Sequence, residues 1–102
     1  MKHLQLNFDK GWTEVILNED CGFDKFYLAA GILEKELNIV FINKLDDFDC
    51  LYWDFEIDNR LLTLHYHVYF GLSLFPTKFK EASEADNSKV LEIGQILFGK
   101  LK

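Results

Sequence analysis

The sequence predicts an α+β fold: an antiparallel sheet of about five to six strands with two helices packed on one face, in the order β-β-α-β-β-β-β-α. Three observations predict it. Several short segments alternate apolar and polar residues, as half-buried strands do. The period changes to three and four at about residue 22, changes back near 38, and changes again near 84. Between the middle strand runs lie short turn segments, which join antiparallel neighbours and leave the helices to cover one face. At 102 residues the chain is long enough for one core, and it reads as a single domain over 1–102.

Residues 2–8 place Leu4, Leu6 and Phe8 on one side and His3, Gln5 and Asn7 on the other, which is a strand pattern. Asp9, Lys10 and Gly11 supply turn chemistry, and residues 12–18 resume as a second strand, giving an N-terminal hairpin. Phe23, Phe26, Tyr27, Ala30, Leu33 and Leu37 then share one helical face. Asp20 is the candidate cap and Asn38 the candidate stop. Gly31 costs this helix about 1 kcal/mol relative to Ala, so close packing is expected there.

Residues 39–43, "IVFIN", read as a short buried strand, and "KLDDFD" as a polar connection. "CLYWDFEI" and "LLTLHYHVY" follow as two strands around Asp58-Asn59, a pair that tolerates the positive φ of a tight hairpin turn. Gly71 marks a turn or bulge, and "LSLF" ends at Pro76 as a last short strand. Residues 77–89 read as a polar loop into the final helix, capped by Ser83 or Ser88. Val90, Ile93, Leu97 and Leu101 form its apolar stripe. Glu84 and Asp86 near its start and Lys100 and Lys102 near its end match the helix dipole.

A two-residue loop at Asp58-Asn59 fixes the register of its hairpin. Phe55 then faces Leu62, Trp53 faces Leu64 and Leu51 faces Tyr66, which makes a core face. The opposite face pairs Glu56 with Leu61, Asp54 with Thr63, Tyr52 with His65 and Cys50 with His67. The histidines of "LHYH" therefore sit away from the helices. A His-x-His pair beside a cysteine has ligand types suited to zinc, but no second His pair or CxxC closes a tetrahedral site. The expectation is no metal and no cofactor, with the imidazoles packed between Tyr52 and Tyr69. Cys50 with His67 has the residue types of a thiol nucleophile and its base, without a visible orienting residue. Asp54 and Glu56 lie on one strand rather than across a cleft, unlike a glycosidase pair. "DDFD" lacks the spacing and the glycine of a calcium loop.

Net charge is −6 and the pI is about 4.9, which disfavours nucleic acid and anionic membranes as partners and favours a basic protein. No basic residue lies between Lys44 and Arg60, whereas Asp46, Asp47, Asp49, Asp54, Glu56 and Asp58 all do, interleaved with Phe48, Tyr52 and Trp53. Charge steers an encounter and aromatics anchor it, so this hairpin, with His65 and His67 on the open face, is the candidate partner-binding site. The N-terminus has no apolar run of a signal peptide, and Cys21 and Cys50 do not form a secreted disulfide framework. A cytoplasmic setting is therefore expected.

A chain of about one hundred residues, acidic, aromatic-rich and without a catalytic signature, resembles the small immunity proteins of interbacterial toxin systems, including those of contact-dependent inhibition. The resemblance spans the whole chain in size, charge and texture. It implies a protein that binds a cognate toxin domain, often a basic nuclease, and blocks it; it assigns no individual residues. Two other readings stand beside it. One is a homo-oligomeric domain, such as a homodimer, with the open face buried between copies. The other is a small metal- or thiol-dependent enzyme using Cys50, His65 and His67.

Overall fold

The computed structural model describes residues 5–7, 13–19 and 22–101. Among the described residues six strands form one antiparallel sheet: β1 (Gln5–Asn7), β2 (Glu14–Asn18), β3 (Phe41–Asp46), β4 (Cys50–Ile57), β5 (Arg60–His67) and β6 (Gly71–Pro76). Their spatial order is β1-β2-β6-β5-β4-β3. Helix α1 (Phe23–Glu36) joins β2 to β3, and α2 (Glu84–Lys100) follows a short 3₁₀ turn at Phe79–Glu81.

The topology follows from what α1 can span. Strands β2 and β3 stand four strand spacings apart, about 19 Å. A helix of 14 residues is about 21 Å long, so α1 crosses the sheet and delivers the chain to the far edge. Strands β3 to β6 then meander back until β6 pairs with β2. Both helices bury their apolar sides on the same face. Phe26, Ala29, Ala30 and Leu33 of α1 and Val90, Ile93 and Leu97 of α2 share one core with Val15, Leu51, Phe55, Leu62, Leu64, Leu72 and Leu74.

The expected hairpin register is present at every position, from Ile57 opposite Arg60 to Cys50 opposite His67. Asp58 and Asn59 both take positive φ, 50° and 64°, which is the twist a two-residue hairpin turn requires. Asn38 ends α1 in the left-handed region (φ 55°), and Ser83 caps α2.

Several local expectations are corrected. The third strand is shifted to Phe41–Asp46 and is an exposed edge rather than a buried strand: Val40, Ile42 and Leu45 are all exposed, and Lys44 to Asp46 belong to it, not to a connection. Helix α1 is capped by Gly22 with no side-chain cap bond, and Asp20 lies outside the described residues. A Cβ at Gly31 would meet nothing within 4 Å, so no close packing requires it. The close approach is at Gly94, where a Cβ would come within 2.7 Å of the Val15 side chain. Helix α2 begins at Glu84, inside the stretch read as a loop. His3, Leu4, Phe8 and the Asp9–Gly11 turn lie outside the described residues.

Candidate functional site

Alternation sends Leu51, Trp53, Phe55, Leu62, Leu64 and Tyr66 to the helices, so their neighbours form the open face. Register then aligns Leu45, Tyr52, His65, Ser73 and Ile16 in one row across five strands. Tyr52 stacks on His65 with ring centroids 4.4 Å apart, and His65 Nδ1 lies 3.2 Å from the Ser73 hydroxyl. In the neighbouring row Thr63 donates to Asp54 (2.6 Å). Having spent its proton there, it accepts from Thr77 (2.8 Å). His67 Nδ1 accepts the Tyr69 backbone N–H (3.1 Å), which places the proton of the neutral ring on Nε2.

Two turns meet at one end of the sheet. The Val68 amide donates to the Asp49 carbonyl (3.0 Å), which brings the β5–β6 turn against the β3–β4 turn. Both turns expose apolar residues. Phe48 is 89% exposed, Tyr69 80% and Phe70 72%, with Val68 beside them. Gly71 makes this possible: its φ is +85°, and a Cβ there would sit 2.1 Å from the Asn18 carbonyl oxygen. From this end a groove of about 310 Å³ runs onto the open face. Ile16, His65 and Ser73 line it together with Tyr69, Phe70, Glu14 and Glu19.

The acidic hairpin is not one patch. Strand β4 has eight residues and spans roughly 25 Å, so its two turns are separated by several screening lengths of about 8 Å. Asp58, at the far turn, pairs with Lys89 of α2 (2.7 Å), and Arg60 beside it pairs with Asp86 (3.2 Å). Asp46 points to the helix side and accepts the Trp53 indole N–H (2.6 Å). Asp54 holds Thr63, and Glu56 is exposed on the open face near the far turn. Asp47 and Asp49 remain at the aromatic end, where none of the ion pairs among the described residues involves them. The structure thus gathers Asp47, Asp49, Tyr52, His65 and His67 at or near that end and places Asp46, Asp54, Glu56 and Asp58 elsewhere.

Cys50, His65 and His67, the set that the alternative enzyme reading uses, do not form a close group of ligand atoms among the described residues. Among the described residues the one close group of potential ligand atoms is Asp47, Asp49 and Cys50, within 4.8 Å of one another, and neither histidine belongs to it. The same neighbours set the thiol's chemistry. Burial first, then a hydrogen bond and the charge of Asp49, then the charge of Asp47, push the Cys50 thiol up from its ordinary value. A nucleophilic cysteine needs the opposite, a cationic neighbourhood that favours the thiolate. Burial, followed by Cys50 and Asp49, pushes the Tyr52 hydroxyl up as well.

Phe70, Val68, Glu14, Glu19, Ile16 and Ser73 were not legible as site residues. One signal pointed to the first two: "HVYFG" puts three apolar residues into a turn, where polar residues are the rule. The chain matches no protein-family model, no curated protein and no solved structure.

Proposed function

We propose that this chain is a binding domain for a basic protein, which docks on the aromatic end of the sheet. Its most concrete form is an immunity protein that occludes a cognate toxin domain. The observation that carries this reading is the cluster of Phe48, Val68, Tyr69 and Phe70, exposed together at one end and flanked by Asp47 and Asp49 without cationic partners among the described residues. Exposed aromatic clusters of this kind mark interaction sites rather than ordinary surface. The groove extends the site: Glu14 and Glu19, which line it with Tyr69 and Phe70, suit a lysine or arginine side chain, met by charge and by an aromatic face. The same carboxylates repel phosphate backbones and anionic lipid. Among the described residues no helix is long and apolar enough to cross a membrane. The free thiol of Cys50 fits a reducing, cytoplasmic setting. The reading needs no cofactor and assigns no reaction, and the raised thiol supports that assignment.

The test begins with capture of partners by the immobilised chain from its native host. Association of the captured protein is then measured across a salt series. Asp47→Lys/Asp49→Lys should slow association and flatten its salt dependence, because charges at a rim act on the encounter. Tyr69→Ala/Phe70→Ala should instead speed dissociation. Expression of the captured protein should arrest growth, and co-expression of this chain should relieve the arrest. A partner whose binding survives both double substitutions places the site elsewhere. A partner harmless to its host removes the immunity reading.

A further inference from the structure

We infer that the exposed β3 edge pairs with β3 of a second copy of this chain, antiparallel, with Leu45 on the two-fold axis. This interface adjoins the aromatic end at Asp47, which falls opposite Asn43 of the second copy, and does not depend on the reading above.

Backbone geometry limits the choice of register. The Asp47 amide donates to the Cys50 carbonyl (2.9 Å), so that rung is hydrogen-bonded. Antiparallel ladders alternate, so Leu45 and Asn43 turn their amides and carbonyls to β4 while Lys44 and Asp46 turn theirs outward. The far side of β4 agrees. The Val68 amide bonds the Asp49 carbonyl, which makes Trp53, opposite Lys44, point its backbone to β5. The outward groups at Lys44 and Asp46 are therefore the ones a second strand must meet.

A two-fold edge pairing must centre on a residue, and four centres fall within the strand's regular part. Centring on Lys44 sets it opposite the same lysine of the second copy, and centring on Asp46 opposes two carboxylates. Like charges directly opposite are destabilising. Centring on Asn43 carries the outward rung of Lys44 onto Ile42, where the register of β3 with β4 shifts. Centring on Leu45 sets Lys44 opposite Asp46 twice, with both side chains on the helix side of the sheet, where they already lie against Trp53. It also sets the exposed Leu45 against its own copy on the open face, in a non-hydrogen-bonded pair, where side chains approach most closely. A lysine protects an edge strand by opposing like charges. Asp46, two residues on, lifts that protection in this one register. The exposed Ile42 on the strand, Val40 just before it, and Tyr27 of α1 beside Trp53 add apolar surface to the same edge.

The register gives a direct test. In a Cys21→Ser/Cys50→Ser background, Leu45→Cys places two thiols on residues about 4.5 Å apart, within reach of a disulfide. Asn43→Cys places them about 13 Å apart, beyond that reach. Under oxidised glutathione Leu45→Cys should double in mass and Asn43→Cys should not. Sedimentation of the unmodified chain should show dimer that is lost in Lys44→Asp and regained in Lys44→Asp/Asp46→Lys. A monomer at every attainable concentration, or equal crosslinking at both positions, overturns the proposal.

Discussion

Cys50 shows how an environment decides what a side chain can do. Its partner across the hairpin is a histidine, yet its acidity is set first by burial and then by Asp49 and Asp47 in the adjacent turn. Both carboxylates penalise the thiolate, as does burial. The thiolate is the reactive form, so alkylation by iodoacetamide should be slow at neutral pH and rise only in the alkaline range. In a Cys21→Ser background, Asp47→Asn/Asp49→Asn should shift that rise to lower pH. A profile that does not move would assign the shift to burial, the leading cause.

At the scale of elements, α2 is fastened by its first turn. The Ser83 hydroxyl accepts the Asp86 amide (3.2 Å) and the Asp86 carboxylate accepts the Ser83 amide (3.0 Å), a reciprocal cap. Arg60 adds the bond that ties this turn to β5. Ser83→Ala should cost about 1 kcal/mol, measured by urea unfolding. The Ser83 amide, with help from Arg60 and against some burial, holds the Asp86 carboxyl below the ordinary range. A carboxyl lowered by folding stabilises above its unfolded pKa, near 3.9, and that contribution is lost as pH falls through the folded value. Stability of the unmodified chain should therefore fall more steeply below about pH 4 than that of Asp86→Asn.

Over the whole molecule the two ends of the sheet differ. One is locked by α2 through Lys89 with Asp58 and Arg60 with Asp86, and the other presents Phe48, Tyr69 and Phe70 to solvent. Residues that hold the fold and residues that offer a surface should separate in measurement. Leu64→Ala removes a fully buried side chain between the helices and the sheet and should cost about 2–5 kcal/mol. Tyr69→Ser/Phe70→Ser should stay within roughly 0.5 kcal/mol of the unmodified chain in urea unfolding. A large loss in the second variant would mean that these rings support the β5–β6 turn instead of standing free.

The sequence by itself determined the element types and the central hairpin. A period of two cannot be packed as a helix, and the positive φ of Asp58 and Asn59 locks one register, so Tyr52 had to meet His65 and Cys50 had to meet His67. It also determined that both helices share a face, because one side of β4 and β5 is apolar throughout. Strand order was decided only in three dimensions. "IVFIN" is apolar enough for a central strand, but α1 is just long enough to carry it to the edge, where Val40 and Ile42 stay exposed. The site divided for the same kind of reason. Six acidic residues within thirteen positions are one run in sequence. An extended strand of roughly 25 Å, with side chains on alternate faces, sends them to two ends and two sides. Asp47 and Asp49 come together with Tyr69 and Phe70 because two turns, twenty residues apart in the chain, close the same end of one sheet.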